Sequence, residues 1–208
     1  MEFEDFEYPK LDGFDVHGYS LLTCALHTRC ISSVKLVLES GADVNQADSR
    51  GRLPIDLACG DNEACKLLIK HGLTLNQEVY EKMFNCMTDR DAEHYLYEIL
   101  HFDANRPFPD GKKPLEHAVR RGFFKTIACL LDKKKAVINA VDGQGRTAAH
   151  IAAELFAERG APFYNIYSLL LNKGANVHLN DDRGNTPMIL VRKAVNAKLG
   201  FTMTDVKK

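Results

Sequence analysis

The sequence predicts an all-α solenoid of about six helix-turn-helix repeats joined by finger-like turns, with the third repeat degenerate and the sixth incomplete. Three observations carry that prediction. The stretches LVLESGADVNQADSRGRLP (36–54) and LLLNKGANVHLNDDRGNTP (169–187) align without a gap, pairing Leu36 with Leu169, Gly41 with Gly174, Val44 with Val177, Gly51 with Gly184 and Pro54 with Pro187. Their starts lie 133 residues apart, close to four periods of 33. Intermediate copies of the glycine-led helix start follow: GYSLLTCAL from Gly18, GRLPIDLAC from Gly51, GKKPLEHAV from Gly111, GRTAAHIAA from Gly145 and GNTPMILVR from Gly184. Self-similarity at such a period is the signature of a stacked array, in which each unit buries its apolar face only against its neighbours.

Each element has a local cause. Pro54, Pro114 and Pro187 stand just before apolar helical runs, where a residue without an amide hydrogen leaves no donor unpaired, so they start the first helix of their repeats. In the second helix apolar residues recur at helical spacing, as in Ile31, Val34, Val37, Leu38 and in Phe163, Ile166, Leu169, Leu170, giving one stripe toward the neighbouring repeat. Gly41, Gly72 and Gly174 follow each stripe, at the point where a left-handed residue ends a helix. Between Asn76 and Asp110 the turn glycine is missing. Ala92, Leu96, Ile99 and Leu100 keep the second-helix stripe there, and Asp103-Ala104 is aligned with Gly-Ala, which shortens that finger. Repeat two is two residues short between its helices, and ELFAERGAPFY (154–164) carries an insertion that lengthens the first helix of repeat five by about a turn. The predicted boundaries are an N-terminal arm at 1–14, an array over 15–200 (15–47, 48–77, 78–107, 108–141, 142–180, 181–200), and a tail at 201–208. The last repeat has at most a short second helix around Ala197 to Met203.

These residues resemble the ankyrin repeat, whose pattern is a Gly-x-Thr-Pro-Leu-His-x-Ala helix start, a second helix ending in a leucine pair, and Gly-Ala-Asp-Val-Asn. GADVN at 41–45 and GANVH at 174–178 are close copies, Thr186-Pro187 and Pro54 keep the helix start, and His150 stands at the family's histidine. The resemblance covers about residues 15 to 200. It implies that His150 bridges backbone groups of adjacent turns, and that partners meet the finger tips and the exposed positions of the first helices.

Composition fits such an array. The 208 residues are 45% hydrophobic and 26% charged with a formal net charge of -1, an ordinary globular balance that gives no bulk attraction for nucleic acid. No apolar run approaches a membrane span, and MEFEDFEYPK is acidic where a secretory signal is basic and then apolar; the reading is an intracellular protein, cytoplasmic or nuclear. The six cysteines show neither Cys-x-x-Cys nor zinc-ligand spacing, so they read as buried reduced thiols rather than metal ligands or a disulfide framework. Neither a Gly-x-x-x-x-Gly-Lys-[Ser/Thr] loop nor a Gly-x-Gly-x-x-Gly after a strand occurs, so no nucleotide cofactor is expected. No Ser-His-Asp or paired-carboxylate spacing stands out, and no enzymatic activity is expected.

The functional expectation is therefore a non-catalytic adaptor or scaffold that binds another protein, by an acidic or extended segment, across its concave face. Arg50, Arg52, Lys112, Lys113, Arg120, Arg121, Arg146 and Arg183 fall on the surface the resemblance assigns to partners, and His117 and Phe156 join them as candidates. The span 106–135 holds nine basic residues against three acidic, which would steer an acidic partner, although Asp48, Asp142, Asp181 and Asp182 stand near enough to neutralise the finger arginines. In the insertion, Phe163 fits the buried stripe, while Phe156 is open to burial or to an exposed anchoring role. The acidic and aromatic start MEFEDFEY reads first as a cap over the first repeat. Alternatives are a recognition subunit of a larger enzyme assembly such as a ubiquitin ligase, and binding of nucleic acid or anionic lipid by the basic face; the neutral net charge and the lack of interleaved stacking aromatics weigh against the latter.

Overall fold

The computed structural model describes residues 13–90 and 103–198. The chain divides into two compact units, Met1–Met87 and Thr88–Lys208, and regular structure among the described residues is helical apart from one isolated bridge between Phe14 and Ser20.

Unit 1 contains α1 (Leu21–His27), α2 (Ile31–Glu39), α3 (Pro54–Ala58), α4 (Asn62–Lys70) and α5 (Gln77–Cys86). First helices stack on first helices, α1 on α3 and α3 on α5, and second helices form the other layer, α2 on α4. Leu22, Leu26, Val34, Leu38, Ile55, Leu68 and Phe84 fill the space between the layers. The stripe residues Val34, Val37 and Leu38 are buried, whereas Leu36, one position off the stripe, is exposed. The two residues missing from repeat two are lost from α3, which has 5 residues where α1 has 7.

Unit 2 contains α6 (Pro114–Arg121), α7 (Phe124–Asp132), α8 (Ala148–Arg159), α9 (Ala161–Asn172) and α10 (Pro187–Lys198). Here α6 packs on α8 and α8 on α10, with α7 and α9 beside their own first helices. Leu115, Val119, Ile127, Leu130, Ile151, Ile166 and Leu170 form the core, and Phe163 is buried with them. The insertion lengthens α8 as expected: it has 12 residues against 8 in α6, about one extra turn.

Helix ends follow the glycines. Gly41, Gly72 and Gly174 have φ of 93°, 93° and 91°, and each is followed by a residue whose N–H returns into the last turn: Ala42 to Val37 O at 3.3 Å, Leu73 to Leu68 O at 3.0 Å and Ala175 to Leu170 O at 2.9 Å. These are the paired bonds of a left-handed helix stop. The end of α7 also closes on a left-handed residue, without glycine and one residue later: Ala136 N donates six residues back, to Leu130 O, at 2.9 Å, and Lys135 takes φ 55°. The N-terminus of α7 borrows its cap from Asp89, whose Oδ1 accepts from Thr126 N at 3.0 Å and from Thr126 Oγ1 at 3.1 Å.

Four expectations need correction. Asp103-Ala104 corresponds to Asp43-Val44 rather than to Gly-Ala, since Asp103 Oδ1 accepts from Asn105 N at 2.9 Å as Asp43 Oδ1 does from Asn45 N at 2.8 Å. The third finger is therefore full length. Second, Cys59 and Cys86 form a disulfide, because consecutive first helices bring residues 27 apart to a Cα separation of 5.2 Å; a spacing rule built on local motifs does not register a stacking contact. Third, Cys30 is exposed rather than buried, since it precedes α2 outside the apolar stripe. Last, α10 runs without a break to Lys198, so Ala197 belongs to the first helix of its pair. The stripe at Ala92, Leu96, Ile99 and Leu100, the MEFEDFEY arm and the segment 199–208 lie outside the described residues.

Candidate partner-binding surface

The fingers are held by aspartates that the sequence reading treated as surface charge. In four fingers the aspartate three residues before the turn glycine folds its carboxylate back over the turn. Asp15 Oδ1 accepts from His17 N and Tyr19 N at 2.9 and 2.8 Å, and Asp48 Oδ1 from Arg50 N and Arg52 N at 2.9 Å each. Asp142 Oδ1 does so from Gln144 N and Arg146 N at 2.9 Å each, and Asp181 Oδ1 from Arg183 N and Asn185 N at 3.0 and 2.7 Å. Burial pushes the Asp48, Asp142 and Asp181 carboxyls up, but the backbone donors outweigh it and hold all three below the usual carboxylate value. In the finger before α6 Phe108 occupies the aspartate's place, with the same backbone bonds to Lys112 O at 2.9 Å and from Gly111 N at 2.8 Å.

A second set of polar ties runs from finger to finger inside each unit. Asn45 accepts from Thr74 N at 2.8 Å and donates to Gly72 O at 3.2 Å. Asn105 repeats this with Val137 N at 2.7 Å and Lys135 O at 3.3 Å, and Asn139 accepts from Asn176 N at 2.9 Å. His150, with 0% of its surface exposed, accepts from Thr147 N through Nδ1 at 3.0 Å and donates from Nε2 to Asn185 O at 3.1 Å in the next repeat. It bridges adjacent turns, as the resemblance implied.

The candidate contact residues occupy varied positions on this scaffold. In unit 1, Arg52 pairs with Asp48 through Nη2 at 2.7 Å, and both Arg50 and Arg52 lie over the Tyr19 ring at 5.5 and 5.0 Å from its centroid. In unit 2, Lys112 and His117 share Asp110 Oδ2, at 2.6 and 2.9 Å, and His117 meets the edge of Phe108 with ring centroids 5.2 Å apart. Arg120 binds Glu116 at 2.8 Å. Arg146 lies between Asp142 at 2.9 Å and Glu154 at 3.0 Å. The guanidinium of Arg121 lies 4.3 Å from the Phe123 centroid. Arg183 is exposed, and its backbone N–H serves the Asp181 turn. Phe156 is 9% exposed; Tyr164 and the Lys198 ammonium cover it at 5.3 and 4.0 Å between centres. Its role is packing rather than exposed anchoring, because the longer α8 carries it under α10.

Sequence reasoning passed over the apolar part of this face. Val137 and Val141 are 55% and 51% exposed and flank a small hollow of about 20 Å³ floored by Leu115 and Ile151 and edged by Lys113 and Arg146. Lys113 Nζ reaches the Val141 carbonyl at 3.3 Å. The signal was present in KKKAVINAVD: Val137 stands at the register position of Asp43, where a finger ordinarily shows a polar side chain to water.

Residues 83–181 match the family of ankyrin repeats in three copies. Over 169 residues the chain is 28% identical to YahD of Escherichia coli (strain K12), whose name describes an ankyrin repeat protein, with 78% of this chain and 84% of that one covered. It is 28% identical over 177 residues to Neurogenic locus notch homolog protein 1 of Homo sapiens, covering 85% of this chain but spanning 6% of that protein. The crystal structure of the ankyrin repeat domain of Bcl-3, a member of the IkappaB protein family, matches with a TM-score of 0.65 at 22% identity, over 92% of this chain and 86% of that one. The shared property is the fold.

Proposed function

The chain is an ankyrin-repeat protein, and from that premise we propose that it is a non-catalytic intracellular adaptor that holds an extended segment of a partner protein along its fingers and first helices. Ankyrin repeats generally mediate protein–protein interaction, and no helix among the described residues is long and apolar enough to cross a membrane. The observation that carries the site is the juxtaposition in unit 2 of two half-exposed valines, Val137 and Val141, with Lys113 on a finger scaffold fixed by Asp142 and Asn105. A rigid apolar patch edged by a cation binds with little ordering cost, and the aliphatic centre supplies the affinity.

The basic residues enter differently from a simple charged stripe. Arg52, Lys112, Arg120 and Arg146 each already hold a carboxylate, so a partner's acidic group gains from them only by exchange. Lys113 makes no ion pair with a described carboxylate and is the primary contact for a partner's acid; Lys112, His117, Arg120, Arg121 and Arg183 form the rim, and Arg50 and Arg52 are a separate contact group on unit 1. The test is quantitative affinity purification from the native cell with the intact chain beside a V137D/V141D variant and a K113E variant, each shown to be folded by circular dichroism. The proposal expects the same partner to fall away from both variants, most from the valine pair. Equal recovery on all three proteins refutes this site.

A further inference from the structure

We propose that Cys59 and Cys86 form a reversible thiol–disulfide switch that locks α3 to α5 in unit 1. Nothing in the interaction role requires this pair, and the sequence reading set it aside. The geometry points to it because the two residues close off neighbouring first helices: Cys59 follows the last residue of α3, Cys86 is the last residue of α5, and their Cα atoms lie 5.2 Å apart, within the span that a disulfide bridges without moving the backbone.

Two features distinguish a switch from a permanent strut. The pair is half-buried rather than sealed, so a small thiol reaches it, whereas Cys65 and Cys129 are buried. The helices also remain side by side without the bond. Asp56 of α3 accepts Lys82 Nζ of α5 at 2.9 Å while capping Leu53 N at 2.8 Å, and Ile55 and Ala58 are fully buried in the core. The reduced thiols therefore stay placed for closure. The bond nonetheless has something to regulate, since α3 is a 5-residue helix, far below the length at which a helix persists by itself. A covalent tie at its C-terminal end suppresses local opening.

The chemistry balances with a low-molecular-weight disulfide as oxidant. One cysteine thiolate attacks the small disulfide, releasing one small thiol and forming a mixed disulfide on the protein. The second thiolate then displaces the other small thiol and closes Cys59–Cys86. The protein loses two electrons and two protons, and one small disulfide becomes two thiols; excess small thiol runs the same steps backward. In a compartment held reducing by glutathione, a pair of this kind is transient and responsive rather than structural.

The experiment uses the full chain with Cys30→Ser, because the exposed Cys30, its thiol lowered to about 7 by its hydrogen bonds with Ser32 and then Ser33, would otherwise compete for the oxidant. The protein is equilibrated in glutathione buffers of graded oxidised-to-reduced ratio and quenched by alkylation, and the Cys59–Cys86-linked peptide is quantified by mass spectrometry. Amide hydrogen exchange over residues 54–60 is followed in the same samples. The proposal expects the linked peptide to titrate as a two-electron couple, and exchange at 54–60 to slow at least about tenfold on closure. A Cys59→Ser version of the same protein, near-isosteric and checked for fold by circular dichroism, loses both responses. A linked peptide that appears only in urea-unfolded protein overturns the proposal. So does a link that survives every glutathione ratio, or one that leaves exchange at 54–60 unchanged.

Discussion

Lys135 stands where three other helix ends carry glycine, and exchanging the residues measures what that conformation costs. Its φ is 55°, beside 93° at Gly41, 93° at Gly72 and 91° at Gly174. A side chain in the left-handed region costs roughly 1–2 kcal/mol, and glycine returns about 0.4–1 kcal/mol of that through its looser unfolded chain. Lys135→Gly is therefore expected to stabilise the protein by about 0.5–1 kcal/mol. The side chain is exposed, so little packing is lost, and the backbone carbonyl that accepts from Asn105 Nδ2 at 3.3 Å is retained. For a chain of this size that is a rise in Tm of about 1–4 °C. The reciprocal change isolates the same quantity: a Cβ added at Gly174 meets nothing within 4 Å, so Gly174→Ala costs only the conformational term, about 1 kcal/mol of destabilisation. Both are read by thermal unfolding followed by circular dichroism and by urea midpoints. A Lys135→Gly protein no more stable than its parent, together with a neutral Gly174→Ala, would falsify the assignment of these positions as equivalent left-handed stops.

Three further outcomes are expected. His150→Ala strips partners from the buried Thr147 N–H and from the Asn185 carbonyl and leaves a void, a loss of about 3 kcal/mol; a urea midpoint shifted by less than a third of that refutes the bridging role. Asp142 and Asp181 have folded carboxyls below the ordinary 3.8, so their contribution is fully present above that value and disappears as pH falls through the lower folded values. Stability should drop with proton uptake below about pH 4, and Asp142→Asn, which costs about 1 kcal/mol at neutral pH through the lost Arg146 pair, should flatten the drop; an unaltered acid slope counts against the turn role. Asp89→Ala removes the borrowed cap of α7 at Thr126 and should cost about 1 kcal/mol, with amide exchange accelerated at 124–127 rather than throughout unit 2.

The repeat was legible because its signals are local. Pro54, Pro114 and Pro187 mark helix starts by what proline lacks, Gly41, Gly72 and Gly174 mark helix stops by what glycine permits, and the apolar stripes lie between them. The misreadings share one physical cause. Asp103-Ala104 reads two positions out of register because no glycine stands in the sequence between Gly72 and Gly111 to mark the finger; the register shows in Asp103, which repeats the turn bond of Asp43, and in Asn105, which repeats the bonds of Asn45. Cys59 and Cys86 stand 27 residues apart, less than one period, and meet because α3 is two residues shorter than α1 while α5 has 10. That juxtaposition depends on where two helices end in three dimensions, and no spacing along the chain encodes it.

Charge was the least legible property, and the reason bears on recognition. Counting along the sequence gives a basic span at 106–135, but a helix places Glu116 one turn before Arg120, and a turn places Asp142 four residues before Arg146, so these two arginines each meet an anion of their own element. Arg146 then meets Glu154 as well, which turns the apparent stripe into a partly buried network. Such a network attracts weakly at long range, because its fields cancel, yet it fixes the finger and first-helix side chains in one arrangement. If affinity rested on the stripe, raising salt from 50 to 300 mM would weaken binding steeply and the loss would track each arginine replaced. If it rests on Val137 and Val141 beside Lys113, which pairs with no described carboxylate, salt dependence stays shallow, K113E removes what little there is, and V137D/V141D abolishes binding while Arg120→Ala, which also strands Glu116, chiefly lowers stability. A steep salt dependence that survives K113E would return the site to the arginines.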